Sequence, residues 1–223
     1  MKAKDLFFDK KLALIGILFV FAFASCKTDK SESANTWPAY KADEKSTSYS
    51  PLDQINLSNV KQLENAWTFQ MNDLQQGQEP VSSQSNPIIV DGVMYTNSGK
   101  QTVYAIDAAT GKQISSCNTL EEGKPSAASR GVTYWESGDD KRILYSSGNY
   151  LMAIDAQTGK IIPSFGTNGK VNLNEGVRDD PEKISVSLST PGRIFKDLII
   201  IGLRTPDFYG APPGYIRAYN CKT

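Results

Sequence analysis

Three cysteines, a scatter of carboxylates and no histidine set the chemistry open to this chain. Without histidine there is no Ser-His-Asp or Cys-His nucleophile, no histidine-ligated zinc and no histidine haem ligand within these residues. Cys26 closes an apolar run of 13 residues, Leu12 to Ala24, in the order Phe23-Ala24-Ser25-Cys26. Small residues before a cysteine at that place resemble a bacterial lipobox, with Phe23 in place of the usual Leu, which makes Cys26 the candidate for lipidation. Cys117 and Cys221 are then left as two thiols or as one disulfide, and the sequence does not fix the distance between them. Asp107 and Asp155 stand in the same Asp-x-x-Thr-Gly setting. Their carboxylates are expected to accept backbone N–H groups two and three residues on and so fix a turn, not to serve as general bases.

The elements around these residues divide the chain in three. Residues 1–25 read as a lipoprotein signal peptide: Lys2, Lys4, Lys10 and Lys11 precede an apolar run too short to span a bilayer, which takes about 20 residues. Residues 26–36 form a polar tether. Lys27 after the cysteine favours the outer membrane, by analogy with lipoprotein sorting. Two acyl chains on Cys26 would give stable anchoring to the cell envelope, facing the periplasm or the surface. The net charge is zero, with 24 basic and 24 acidic residues; loss of the signal leaves 20 against 22. No basic tract supports nucleic-acid binding.

From Trp37 onward, short β-branched runs alternate with Gly, Asn, Asp and Pro, the pattern of many short strands. A short helix is expected over Leu57 to Leu63 with Ser58 as N-cap. The informative feature is a repeat. Ile88-Ile89-Val90, Asp91-Gly92 and Val93 to Thr96 lead through Val103-Tyr104-Ala105-Ile106 into Asp107-Ala108-Ala109-Thr110-Gly111. The unit returns as Ile143 to Ser146, Gly148-Asn149 and Leu151 to Ile154, ending in Asp155-Ala156-Gln157-Thr158-Gly159. A third copy starts at Leu198 and reaches Asn220-Cys221-Lys222-Thr223. The spacing fits four-stranded propeller blades, with an all-β sandwich of similar hairpins as the alternative. The expected fold is an all-β partial propeller of about two and a half blades over residues 37–223, an incomplete piece of a longer protein.

Several segments, taken in order, resemble the pyrroloquinoline quinone (PQQ) dependent dehydrogenases, especially the quinoprotein glucose dehydrogenase branch. They are Ser48-Tyr49-Ser50-Pro51-Leu52-Asp53-Gln54-Ile55-Asn56, Asn65-Ala66-Trp67-Thr68-Phe69, and Gln84-Ser85-Asn86-Pro87-Ile88-Ile89-Val90-Asp91-Gly92. Further on come Ser129-Arg130-Gly131-Val132, Pro163-Ser164-Phe165-Gly166, Ser189-Thr190-Pro191-Gly192 and Gly214-Tyr215-Ile216-Arg217-Ala218-Tyr219.

The resemblance implies an eight-bladed propeller with PQQ in its central channel. It implies that Arg130 contacts the PQQ oxygens, a role suited to an always-charged fork of donors. It places Gln84 near the cofactor, and Thr190, or Ser189 beside it, as a hydroxyl on a PQQ carboxylate. The adjacent cysteines of alcohol-oxidising relatives are replaced by Ser126-Ala127-Ala128-Ser129, and their calcium-binding Gly-Ala-Glu by Gly202-Leu203-Arg204. The family's inter-blade tryptophan, four residues after the turn glycine, is replaced by Ser115 and Pro163. The catalytic aspartate and the main ligands of calcium or another divalent cation belong to later blades, so no catalytic residue is assigned here. The expected activity is oxidation of a glucose-like sugar or other alcohol, with a quinone or cytochrome as electron acceptor, and the fragment alone inactive. The alternative is a non-catalytic envelope lipoprotein propeller of the outer-membrane protein assembly type.

Overall fold

The computed structural model describes residues 36–72, 81–120 and 128–223; the signal, Cys26 and all but the last residue of the tether lie outside them. Strands β1 (Ile88–Val90), β2 (Val93–Asn97), β3 (Thr102–Asp107) and β4 (Gln113–Asn118) form an antiparallel sheet in chain order. Strands β5 (Thr133–Ser137), β6 (Asp140–Ser147), β7 (Tyr150–Asp155) and β8 (Lys170–Asn172) repeat it. Strands β9 (Arg193–Phe195), β10 (Leu198–Gly202) and β11 (Ile216–Asn220) make a third sheet. Three successive meanders are the blades of a partial β-propeller, as the repeat predicts.

The turns close as their residues require. Asp91 and Gly92, at φ 50 and 77, make the two-residue link from β1 to β2. Asp107 Oδ1 accepts the Ala109 N–H at 3.0 Å and the Thr110 N–H and hydroxyl at 2.8 Å. Asp155 does the same for Gln157 and Thr158. Both carboxylates are therefore committed to turns.

Period-two alternation divides the middle sheet between two cores. Ile143, Tyr145 and Ile154 pack toward the first sheet, against Ile88, Tyr95 and Val103. Leu144, Leu151 and Ala153 pack toward the third, against Ile199, Ile201 and Leu203. Each such aliphatic side chain contributes about 1.5–3 kcal/mol on burial. The third sheet is buried on one face only: Ile199 and Ile201 are covered, Leu198 and Ile200 partly open.

Sheets are also joined at their turns. Trp67 donates its Nε1–H to Ala108 O at 3.2 Å and lies on Gly111, where a Cβ would come within 2.6 Å of the ring. Phe69, two residues on, meets Tyr104 edge to face at 5.3 Å. Ser115 takes the equivalent place against Gly159. At the next junction Arg142, paired through both ends of its fork with Asp140, caps Cys221 O and Lys222 O at 3.1 Å each.

Two expectations are corrected in detail. The helix over Leu57 to Leu63 is one 3-10 turn, Val60–Gln62. Ser58 caps nothing there; its N–H and hydroxyl bond to Asn56 Oδ1 at 3.0 and 2.6 Å. Leu57 is 97% exposed and Leu63 58%, so no buried face supports a longer helix. The third repeat begins one strand earlier than Leu198, at β9. Cys117 and Cys221 are both free thiols, Cys117 half-buried and Cys221 fully buried.

Candidate functional site

The first strand of each sheet is entered from the same kind of position. Gln84 lies four residues before β1, Arg130 three before β5, and Thr190 three before β9. Antiparallel meanders of equal sense bring these entries to one end of the sheets. Backbone bonds then link them in a row: the Asn86 N–H donates to Arg130 O at 3.0 Å, and the Arg130 N–H to Ser189 O at 2.8 Å. The row needs Gly131. Its φ is +136, and a Cβ there would stand 2.7 Å from Asn86 O.

The structure brings Arg130 and Thr190 into contact. Arg130 Nη1 donates to Thr190 Oγ1 at 3.2 Å. Thr190 is half-buried and Arg130 exposed. One hydroxyl uses one of the five guanidinium donors, and no carboxylate pairs with Arg130 among the described residues. A cation steered by a neutral hydroxyl, with donors to spare, suits a flat ligand bearing quinone oxygens and carboxylates. Gln84 joins this group through its backbone: its carbonyl accepts Asn86 Nδ2 at 3.3 Å, and its side chain is exposed. Ser189 meets Arg130 through its carbonyl, so Thr190 carries the hydroxyl on the guanidinium.

Behind the pair lies a cleft of about 10 Å³, lined by Ser129, Thr133, Tyr145, Thr190 and Gly192 among others. The Tyr145 hydroxyl is buried there without a partner in hydrogen-bond geometry. Burial pushes its phenol well up, only partly offset by the Ser129 hydroxyl, so Tyr145 is a neutral wall. Thr133 Oγ1 donates to Gly192 O at 3.2 Å and holds the two strand entries together.

Asn86, Gly131 and Tyr145 were not legible as site residues. The Asn-Pro and Arg-Gly pairs were visible signals; the backbone row joining them spans 44 residues and needed the fold. Among the described residues no three acidic or cysteine side chains converge on a point that could hold a metal ion.

Residues 37–223 match the PQQ family described as glucose/ethanol/alcohol dehydrogenase, beta-propeller domain. The chain is 33% identical over 193 residues to the quinohemoprotein alcohol dehydrogenase of Comamonas testosteroni, covering 84% of this chain and 24% of that protein. It is 29% identical over 205 residues to the quinoprotein glucose dehydrogenase of Escherichia coli (strain K12), covering 84% and 26%. The crystal structure of the Comamonas testosteroni enzyme superposes with a TM-score of 0.67 at 30% identity, over 84% of this chain and 26% of the other. The chain thus spans about a quarter of the length of these relatives. With its meandering sheets, its row of strand entries and a match over nearly all the described residues, this chain belongs to the PQQ glucose/ethanol/alcohol dehydrogenase β-propeller family.

Proposed function

We propose that this chain forms part of the cofactor-holding wall of a PQQ-dependent dehydrogenase that oxidises the C–OH of a glucose-like sugar or other alcohol. The observation that carries the reading is the Arg130–Thr190 contact just ahead of β5 and β9. When bound, the quinone supplies a two-electron acceptor. Arg130 supplies fixed positive charge to its oxygens, Thr190 holds the guanidinium in place, and Gln84 stands at the neighbouring entry. Calcium or another divalent cation would be held mainly by residues outside this chain, as would the catalytic base. The electrons would pass to a quinone or cytochrome. On this reading the 223 residues alone bind cofactor weakly and turn nothing over.

Titration of the full chain with PQQ, followed by fluorescence quenching, tests this. Arg130→Ala should weaken binding by about tenfold or more, the worth of one charge-assisted contact. Equal affinity would remove the assignment. The lipobox supports a second element of the proposal, anchoring at Cys26 in the bacterial cell envelope, probed by fractionation. The parent should partition with membranes and carry acyl mass on its N-terminal peptide; Cys26→Ser should do neither.

A further inference from the structure

The cleft behind the Arg130–Thr190 pair is too small for an organic ligand. Its volume of about 10 Å³ fits a single water molecule. Leu144, Leu188 and Ile199, which belong to the core between the second and third sheets, supply its apolar wall. Gly131, Pro191 and Gly192 line it from the strand entries. A wholly apolar space of this size stays dry, and polar groups on its lining decide whether it takes water.

Two of its hydroxyls are already spent. Ser129 Oγ donates to Gly131 O and Thr133 Oγ1 to Gly192 O, each at 3.2 Å. Thr190 Oγ1 accepts from Arg130 Nη1 at 3.2 Å, which leaves it one lone pair and its own proton. Ser146 is different. It stands on β6 two residues beyond Leu144, on the face turned to the third sheet. Only 6% exposed, its hydroxyl has no hydrogen-bond partner among the described residues. Tyr145 lines the same cleft, and its hydroxyl is also buried without a partner. A buried hydroxyl left unmatched lowers stability, whereas one matched by an ordered water does not. Ser146, Tyr145 and Thr190 together offer the two to four partners, roughly, that a buried water takes.

We propose that this cleft is a buried-water site, and that Ser146, acting through the water, is a positioning residue for the Arg130–Thr190 pair. The water is held by Ser146 Oγ and donates to the remaining lone pair of Thr190 Oγ1. With one lone pair on Arg130 and the other on the water, the single Thr190 proton is turned outward, free to be donated to a carboxylate of the cofactor. Hydrogen bonds in such a chain polarise and strengthen one another. The use made of that proton rests on the cofactor reading; the water site itself does not.

Four measurements on the full chain test it. Water NOEs should reach the methyl groups of Leu144 and Ile199, both buried from bulk solvent, and vanish in Ser146→Val, whose methyls fill the space. Three-bond couplings should show one χ1 rotamer for Thr190 in the parent and averaging in Ser146→Ala. The urea midpoint should fall in Ser146→Ala, which leaves the water one bond short; an orphaned hydroxyl would be removed at no loss or with a gain. PQQ affinity, read by fluorescence quenching, should fall about three- to tenfold in Ser146→Ala. No water NOE in the parent, an NOE that persists in Ser146→Val, an unchanged Thr190 rotamer or an equal or higher midpoint would each overturn the proposal. So would undiminished affinity in Ser146→Ala when the parent binds PQQ. If the parent takes up no PQQ while the other three results hold, the cofactor reading alone is lost.

Discussion

At the residue scale, identical side chains take different duties because of what surrounds them. Asp107 resembles a catalytic carboxylate in composition only. Its oxygen is held by the Thr110 hydroxyl, then by the Thr110 and Ala109 N–H groups, and these hold its pKa below the ordinary 3.8. A lowered carboxylate stabilises the fold above its unfolded pKa and loses that contribution as pH falls through the folded value. Asp107→Asn should therefore be less stable than the parent at pH 7, and the gap in urea midpoint should shrink as pH drops below 3.8. A gap independent of pH would show that the charge is not what holds the turn. Arg130 shows the reverse case. It is always charged, and its one side-chain partner among the described residues is a neutral hydroxyl. Composition cannot separate it from Arg142, whose fork is spent on Asp140 and two carbonyls.

At the element scale, the Asp-x-x-Thr-Gly turn does more than reverse the chain. Its glycine is the surface on which the preceding segment docks: Trp67 on Gly111 and Ser115 on Gly159. The docking position was readable from the family pattern; that a serine fills it against the bare glycine was not, because the contact crosses between sheets. Gly159→Ala should show the difference. Gly138 has a similar φ of +63 with nothing within 4 Å, whereas Gly159, at φ +70, has Ser115 Oγ at 2.5 Å from a built Cβ. Gly138→Ala should cost about 1–2 kcal/mol for the left-handed backbone alone. Gly159→Ala should cost clearly more, as read from denaturant midpoints. Equal losses would mean that Ser115 gives way freely and the docking is unimportant.

At the scale of the whole molecule, the middle sheet is sandwiched and each outer sheet depends on it. The third sheet is held by one core face and by the Arg142 clip onto Cys221 and Lys222. Arg142→Ala leaves Asp140 without its forked partner and two carbonyls uncapped, at a cost of about 1–3 kcal/mol. Because the clip acts at one junction, amide exchange should speed up at Ile199 and Ile201 while Tyr95 and Val103 in the first sheet keep their protection. A uniform change across both would refute a local role. The sequence by itself determined the turn chemistry, the repeat and the strands that carry it, β1 to β3, β6, β7, β10 and β11, since these rest on residues within about a dozen positions of one another; β4, β5, β8 and β9 emerged only with the sheets. The arginine and threonine at the strand entries were singled out only through their resemblance to a family pattern. Tertiary structure alone decided that Arg130 touches Thr190 across 60 residues, that Arg142 reaches a turn 79 residues away, and that Arg178 pins a loop 32 residues on. Those contacts join exposed or partly buried polar groups, which leave no periodic trace in a sequence. Their partners are chosen only when the sheets stack.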